Sequence, residues 1–227
     1  VDLLSVLAFW LEIDYFVAMN FGIIADGNRR WAQKNGLSTE EGHRKGFSVV
    51  TDYIYPVLVD SKEFSAMTVY AFSTENWKRS VSEVRYLMKL YAEMIDKWIP
   101  DLMKRKTRVI HAGRKNRIPS FLRKKIEEAE EISKKNKDFT IYLCLDYGGR
   151  DEILRAAKKG NLEKNLEVPD LDLVFRPGGE MRLSNFCIWQ AAYAEFFFTD
   201  KFLPEITKAD VKKTLKEFLE RERRKGA

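Results

Sequence analysis

Residues 21–34 read FGIIADGNRRWAQK, and the way this stretch is parsed decides the fold. Phe21 to Ala25 is a short apolar run of strand length. Asp26-Gly27 alone is a good hairpin turn, but the residues after it do not alternate as a returning strand would. Arg29 to Lys34 reads as a helix instead. The same strand–turn–helix pattern continues outward. A helix over about Glu41 to Val59 puts Val49, Val50, Tyr53, Ile54, Val57 and Leu58 on one face, and Ala66 to Phe72 is a second strand. Ser80 and Glu83 have capping-box spacing. The helix they open carries Val84, Leu87, Met88, Tyr91, Ile95, Trp98, Ile99 and Leu102 at helical period. A weak strand (Arg108 to His111), a charged helix (Ser120 to Lys135) and an apolar strand (Phe139 to Leu145) come next. After these come a helix (Asp151 to Lys159), a strand (Leu171 to Phe175), a helix from about Ser184, a short strand near Phe196 and a terminal helix (Thr207 to Arg224). Strands separated by helices imply right-handed βαβ units and a parallel sheet covered on both faces. One α/β domain is expected.

Composition agrees. The chain has 227 residues, 45% of them apolar, enough for a full core in a single domain spanning residues 1–227. With 40 basic against 34 acidic residues the charge is +6, which suits anionic partners. Cys144 and Cys187 lie far apart without CxxC spacing, so neither a disulfide scaffold nor a zinc ribbon is indicated, and a reducing, cytoplasmic setting is expected. With His43 and His111 alone, HExxH hydrolases are excluded. The longest apolar run, Leu3 to Leu11, is broken by Ser5 and soon followed by Glu12 and Asp14, short of the roughly 18 apolar residues a membrane span needs. Residues 1–18 read as an amphipathic segment that packs on the body or makes a membrane or partner contact.

In open α/β sheets ligands sit at the carboxyl ends of the strands. After the first strand, a carboxylate (Asp26), a Gly27-Asn28 turn and arginines at a helix start (Arg29, Arg30) make a diphosphate cradle. Asp26 would be repelled by that anion unless a cation lay between them, which implies Mg²⁺. No Walker A or GxGxxG pattern is present. After the second strand comes Ser73-Thr74-Glu75-Asn76-Trp77-Lys78-Arg79, in which turn chemistry accounts for the hydroxyls and Asn76 but not for Trp77 and Arg79. After the fifth, Arg176 and Arg182 flank a Gly-Gly turn ahead of Ser184, either a second anion site or a loop with Ser184 or Asn185 as N-cap.

Together these stretches resemble the cis-prenyltransferase family, the undecaprenyl and polyprenyl diphosphate synthases. The motifs are DGNRRWA (Asp26 to Ala32), GHRKG (Gly42 to Gly46), YAFSTENWKR (Tyr70 to Arg79), DYGGRDEI (Asp146 to Ile153), DLVFRPGGEMRLSNFCIWQAAYAEFFFTD (Asp172 to Asp200) and RKG (Arg224 to Gly226). The resemblance implies a six-stranded, mostly parallel sheet flanked by helices, a hydrophobic tunnel and a homodimer. It also implies a Mg²⁺-dependent condensation of isopentenyl diphosphate with an allylic prenyl diphosphate to a cis-polyprenyl diphosphate. On it, Asp26 and Asn76 are catalytic, and Asp26 and Glu195 hold the metal. Gly27, Asn28, Arg29, Arg30, His43 and Arg79 hold the allylic diphosphate, and Trp31 is a further substrate-binding residue. Ser73, Asn76 and Trp77 orient the reacting group, with Asn76 relaying a proton rather than acting as a base, since an amide is a poor one, and Thr74 and Glu75 are further substrate-binding residues. Arg176, Arg182, Leu183 and Ser184 hold isopentenyl diphosphate, and Arg224 and Gly226 reach the neighbouring subunit's site. Asp26→Ala is expected to abolish turnover with the fold intact.

Four positions depart from the family's usual pattern: Thr39 for an arginine, Asn20 for a histidine, Asp146 for an asparagine and Pro177 for a threonine. They leave the allylic substrate open. The stripe from Val84 to Leu102 is a core face on periodicity alone, and the resemblance implies that part of it lines the tunnel. Ile141, Tyr142 and Leu143 are expected near the tunnel floor. The alternatives are an irregular head-to-middle or other-acceptor prenyltransferase of this family, a non-catalytic partner subunit, and more remotely a basic nucleic-acid-binding domain, for which no recognition motif is visible.

Overall fold

The computed structural model describes residues 19–221. Six strands form one sheet: β1 (Met19–Ile24), β2 (Phe64–Ser73), β3 (Thr107–Ala112), β4 (Phe139–Tyr147), β5 (Leu173–Pro177) and β6 (Glu195–Thr199). Their order is β3-β4-β2-β1-β5-β6, and every pairing is parallel. Central β1 is buried along its whole length, which is why, Asn20 apart, it reads as an apolar run rather than an alternating one. Helices α1 (Asn28–Lys34), α2 (Thr39–Val49), α3 (Tyr55–Ser61), α4 (Val81–Lys104), α5 (Ser120–Ser133), α6 (Gly149–Lys158) and α7 (Lys208–Leu219) cover the sheet. One face, with Phe21, Ile23, Met67, Val69, Leu173 and Phe175, packs on α2, α3 and α7. The other, with Ile24, Tyr70, Cys144 and Val174, packs on Phe186, Cys187 and Ala191. The register pairs Ile23 with Phe175 and Ser73 with Tyr147, so the carboxyl ends of β1, β2, β4 and β5 meet at one edge.

Two expectations are corrected. The helix over Glu41 to Val59 is three pieces, α2, a π-helical turn (Val50–Ile54) and α3. Pro56 is the cause: it has no N–H, and its ring would strike the carbonyl four residues back, so the wider turn absorbs the defect. The helix expected from Ser184 is absent. Residues 184–194 form successive turns, with Ser184, Asn185 and Cys187 at φ of 51°, 66° and 39°. Left-handed residues cannot propagate a right-handed helix. Asn185 instead serves α6: its carbonyl accepts from the Gly149 N–H (2.7 Å) and its side-chain oxygen from the Arg150 N–H (2.9 Å).

The amphipathic 1–18 segment and the Arg224 and Gly226 tail lie outside the described residues. Among those described, no helix is long and apolar enough to cross a membrane.

Candidate active site

A cavity of about 300 Å³ opens at the sheet's carboxyl edge and runs down between the sheet and helices α2 and α4. Its mouth carries Asp26, Asn28, His43, Ser73, Asn76, Arg79, Arg176 and Ser184. Its depth is apolar, with Val69, Ala71 and Leu143 from the sheet, Phe47 and Val50 from the α2 region, and Leu87, Leu90, Tyr91, Ile95 and Trp98 from α4. The tunnel therefore exists, and the α4 stripe is one wall of it. Of the residues expected at its floor only Leu143 lines it: Tyr142 projects from the other face of β4, and Ile141 is packed in the core below.

The first cradle is built by close packing of α1 on α2. Gly27 sits at φ 92° against the Phe202 ring, so the chain turns sharply out of β1 into α1 where a side chain would collide. On α2, Gly46 leaves space for Asn28; a Cβ there would lie 1.9 Å from the Asn28 Oδ1. This is the physical content of the GHRKG spacing: Gly42 and Gly46, one turn apart, let two helices touch. His43 then reaches the mouth. Burial first, then the charges of Arg79 and Arg29, pull its pKa from 6.5 down to about 4 against the opposing pull of Glu83. At neutral pH it is an uncharged imidazole and meets an anion as a hydrogen-bond donor.

Glu83 is the residue the sequence disguised. Its spacing from Ser80 reads as a capping box, and the Ser80 Oγ does accept from the Glu83 N–H (3.3 Å). The carboxylate, however, turns to the site, 3.1 Å from Arg79, 3.8 Å from Arg29 and 3.8 Å from His43. It gathers these three groups into one cluster.

The second cradle adjoins the first. Arg176, almost wholly buried, donates to the Asp26 Oδ2 (2.8 Å) and the Ser184 Oγ (2.9 Å). Asp26 also accepts from the Gly27 N–H (2.6 Å) and Arg30 (3.3 Å). Burial pushes the Asp26 pKa up, but Arg176, the Gly27 N–H and Arg30 together outweigh it and leave it below the usual carboxylate value. Arg30 and Arg182 are both held by Glu180, a second carboxylate that the residue pattern did not single out.

The Ser73–Arg79 loop is set differently from expectation. Asn76 Oδ1 accepts from the Ser73 N–H (3.0 Å), so its amide N–H₂ is the end left for a ligand, as a donor. Trp77 does not line the cavity. Its indole N–H donates to the fully buried Asp146 (2.8 Å), and Arg117 neutralises Asp146 from the other side (2.8 Å). Arg117 thus explains how an aspartate is tolerated at this position. Glu75 accepts from Asn185 (2.8 Å), tying the loop to the Ser184 turn. Trp31, Thr74, Arg182 and Leu183 lie outside the cavity wall. Thr39 stands in the first turn of α2, and Asn20 is tied to Thr68 and to carbonyls at the far end of β1.

Glu195 is a correction. It begins β6, paired with Leu173 at the start of β5, and Arg221 holds it at 2.6 Å. Asp26 lies just past the carboxyl end of β1, so within one chain the two carboxylates stand at opposite edges of the sheet. No group of three or more His, Cys, Asp or Glu suited to a metal occurs among the described residues. Asp26 alone still fits Mg²⁺, which is commonly held by one or two carboxylates with substrate phosphates and water completing its shell.

The family model described as putative undecaprenyl diphosphate synthase matches residues 24–226. An isoprenyl transferase of Thermotoga maritima is 39% identical, covering 92% of this chain and 97% of that protein. One from Leptospira interrogans is 38% identical, covering 91% and 94%. Among solved structures, lavandulyl diphosphate synthase from Lavandula x intermedia in complex with dimethylallyl diphosphate superposes with a TM-score of 0.85 at 30% identity, covering 94% of this chain and all of that one. A probable undecaprenyl diphosphate synthase from Campylobacter jejuni gives 0.77 at 32% identity, covering 92% and 99%. Fold, motifs and relatives agree: this chain belongs to the undecaprenyl diphosphate synthase family and is a prenyl-transferring enzyme.

Proposed function

We propose that the chain condenses isopentenyl diphosphate with an allylic prenyl diphosphate to give a cis-polyprenyl diphosphate, with Mg²⁺ as cofactor. The observation that carries this reading is the joining of two cationic cradles directly above one apolar cavity. Two anionic heads need two cradles, and a hydrocarbon tail needs dry volume beneath them. His43, Arg79, Arg29, Asn28 and the Gly27 turn take the allylic diphosphate, sharing or displacing Glu83. Arg176 and Ser184, with Arg182 released from Glu180, take isopentenyl diphosphate. Departure of the allylic diphosphate is helped by donors fixed where charge develops, here Arg79 and the neutral His43. Asn76, its oxygen engaged by the loop backbone, donates to a diphosphate and cannot be the base, so the departing proton goes to diphosphate or water. Asp26 would hold Mg²⁺, which supplies charge neutralisation of the leaving diphosphate when bound.

The reading includes a homodimer, as the family resemblance implies. Arg221 lies against Glu195, at the sheet edge opposite Asp26. On this reading Arg224 and Gly226 serve the isopentenyl diphosphate site of the neighbouring subunit, as the family resemblance implies. An apolar product of this kind leaves most readily to a membrane surface.

The test is incubation with Mg²⁺, labelled isopentenyl diphosphate and allylic primers of increasing length, then extraction, dephosphorylation and sizing. A product ladder abolished by EDTA supports the reading, and no incorporation with any primer overturns it. A second reading, irregular coupling, is favoured by the likeness to lavandulyl diphosphate synthase. Dimethylallyl diphosphate supplied alone separates the two: a branched product without isopentenyl diphosphate would select irregular coupling.

A further inference from the structure

We infer that Arg117 and Asp146 act together as a positioning pair: Arg117 holds the Asp146 carboxylate, the carboxylate holds the Trp77 indole, and the indole sets where Asn76 stands at the cavity mouth. The inference rests on the prenyl transfer proposed above. Asp146 lies at the carboxyl end of β4, wholly buried and at φ 53°. A left-handed residue with a side chain is strained, and here the loop between β3 and α5 fixes it. The Arg114 N–H donates to the Asp146 carbonyl (3.0 Å), and Gly113 packs so close that a Cβ there would lie 2.8 Å from that oxygen. From the same loop, Arg117 donates through Nε to the Asp146 Oδ2 (2.8 Å) and through Nη2 to Oδ1. Oδ1 also accepts the Trp77 indole N–H at 2.8 Å. The Arg117 Cζ stands 5.8 Å from the centre of the indole, and Phe72 meets that ring edge to face at 5.1 Å.

Trp77 sits between two residues of the mouth, since Asn76 and Arg79 line the cavity and Trp77 does not. Their ties differ. Arg79 is held separately by Glu83 at 3.1 Å. Asn76 bonds only within the loop: its side-chain oxygen accepts from the Ser73 N–H and its carbonyl from the Arg79 N–H (3.1 Å). Those bonds fix the shape of the loop but not its place over the cavity. Its place is set by the indole bond to β4 and by the Glu75–Asn185 bond, which is exposed and open to competition from water. Stability alone gives little reason for the Asp146–Arg117 pair, because a buried ion pair seldom outperforms apolar packing. What the pair supplies is an acceptor fixed in position and direction for the indole. A displacement of about 1 Å passed on to Asn76 is enough to cost about a hundredfold in rate.

The experiment compares the native chain with Arg117→Gln, Trp77→Phe and their combination in steady-state kinetics with Mg²⁺, isopentenyl diphosphate and an allylic primer. Arg117→Gln is expected to lower kcat by about ten- to a hundredfold, with little change in KM for the allylic diphosphate, whose arginine Glu83 still holds. The combination should lose no more than the worse single variant, because both act through one bond. Adding Asp146→Asn to Arg117→Gln gives a neutral pair, with an amide oxygen for the indole and an amide N–H₂ for the glutamine, and should recover most of the lost kcat. Hydrogen exchange of the 73–79 amides should be faster in Arg117→Gln than in the native chain. Should Arg117→Gln not fold by circular dichroism, Arg117→Lys, which keeps the charge but not the two-pronged fork, takes its place with the same expected direction. An unchanged kcat in the folded variant overturns the inference, as do single losses that multiply in the combination. Absence of any incorporation by the native chain is a different failure, of the prenyl-transfer reading itself. The exchange comparison then still decides whether the pair holds the loop: unchanged exchange overturns it and faster exchange supports it.

Discussion

Asp26 and Arg176 show how a single residue can serve two roles that a sequence cannot separate. Asp26 is the metal-binding candidate, but its carboxylate is also the counter-ion of a guanidinium that is 4% exposed. Asp26→Ala would therefore leave Arg176 without its carboxylate and cost on the order of 2–3 kcal/mol of stability, which lowers the margin of the fold without abolishing it. Asp26→Asn keeps one acceptor, for the Gly27 N–H or for Arg176 but not for both, so it should lose less stability than Asp26→Ala, stay folded, and still lose turnover by several orders of magnitude. Native-like thermal unfolding of Asp26→Asn with no loss of activity would remove Asp26 from the chemistry. His43 yields a pH prediction. The unfolded histidine titrates near 6.5, whereas the folded one resists protonation down to about 4. The unfolded state therefore binds the extra proton between those values. Stability present above pH 6.5 is lost as pH falls toward 4, by on the order of 2–3 kcal/mol. His111 is shifted the same way by its burial, so the comparison has to be differential: chemical denaturation across pH 4–7 should show a shallower loss for His43→Gln than for the native chain. Glu83 was illegible for a related reason. Both a cap and a site carboxylate are a glutamate three residues after a serine, and only the positions of Arg29, His43 and Arg79 decide between them.

At the scale of elements, the strands and most helices were legible because period and turn chemistry are local. Failures came where a local pattern met a geometric constraint. Pro56 breaks an otherwise good apolar stripe with a π turn, and the Ser184 segment, polar and cap-like in sequence, is bent into left-handed turns to bring Ser184 onto Arg176. The α1–α2 contact makes its own prediction. A methyl at Gly46 would overlap Asn28, so Gly46→Ala should cost about 1–3 kcal/mol by overpacking and displace Asn28 from the cavity mouth. Denaturant unfolding should show the loss of stability, and kinetics should show a raised KM for the allylic diphosphate; a variant unchanged in both would mean the helices separate without consequence.

For the whole molecule, the decisive fact is that Glu195 and the root of the C-terminal tail sit at the sheet edge opposite Asp26. If the tail completes a neighbour's site, a chain carrying Asp26→Asn and a chain carrying Arg224→Ala should each be nearly inactive alone. Mixed after dissociation and reassociation, they should recover about a quarter to a half of native activity per site, as expected when intact halves meet in a symmetric dimer. No recovery on mixing would place each tail on its own site or on none. The sequence by itself determined the class of fold, the edge at which ligands bind and the chemical kind of nearly every group at the mouth, because short-range periodicity and the residues just past each strand carry that information locally. Tertiary structure alone decided that Glu83 and Glu180 gather the cations, that Trp77 anchors on Asp146 instead of facing the cavity, with Arg117 behind it, and that Glu195 is remote from Asp26. Those are distances between residues far apart in the chain, and they exist only once the sheet order and helix packing have brought the segments together.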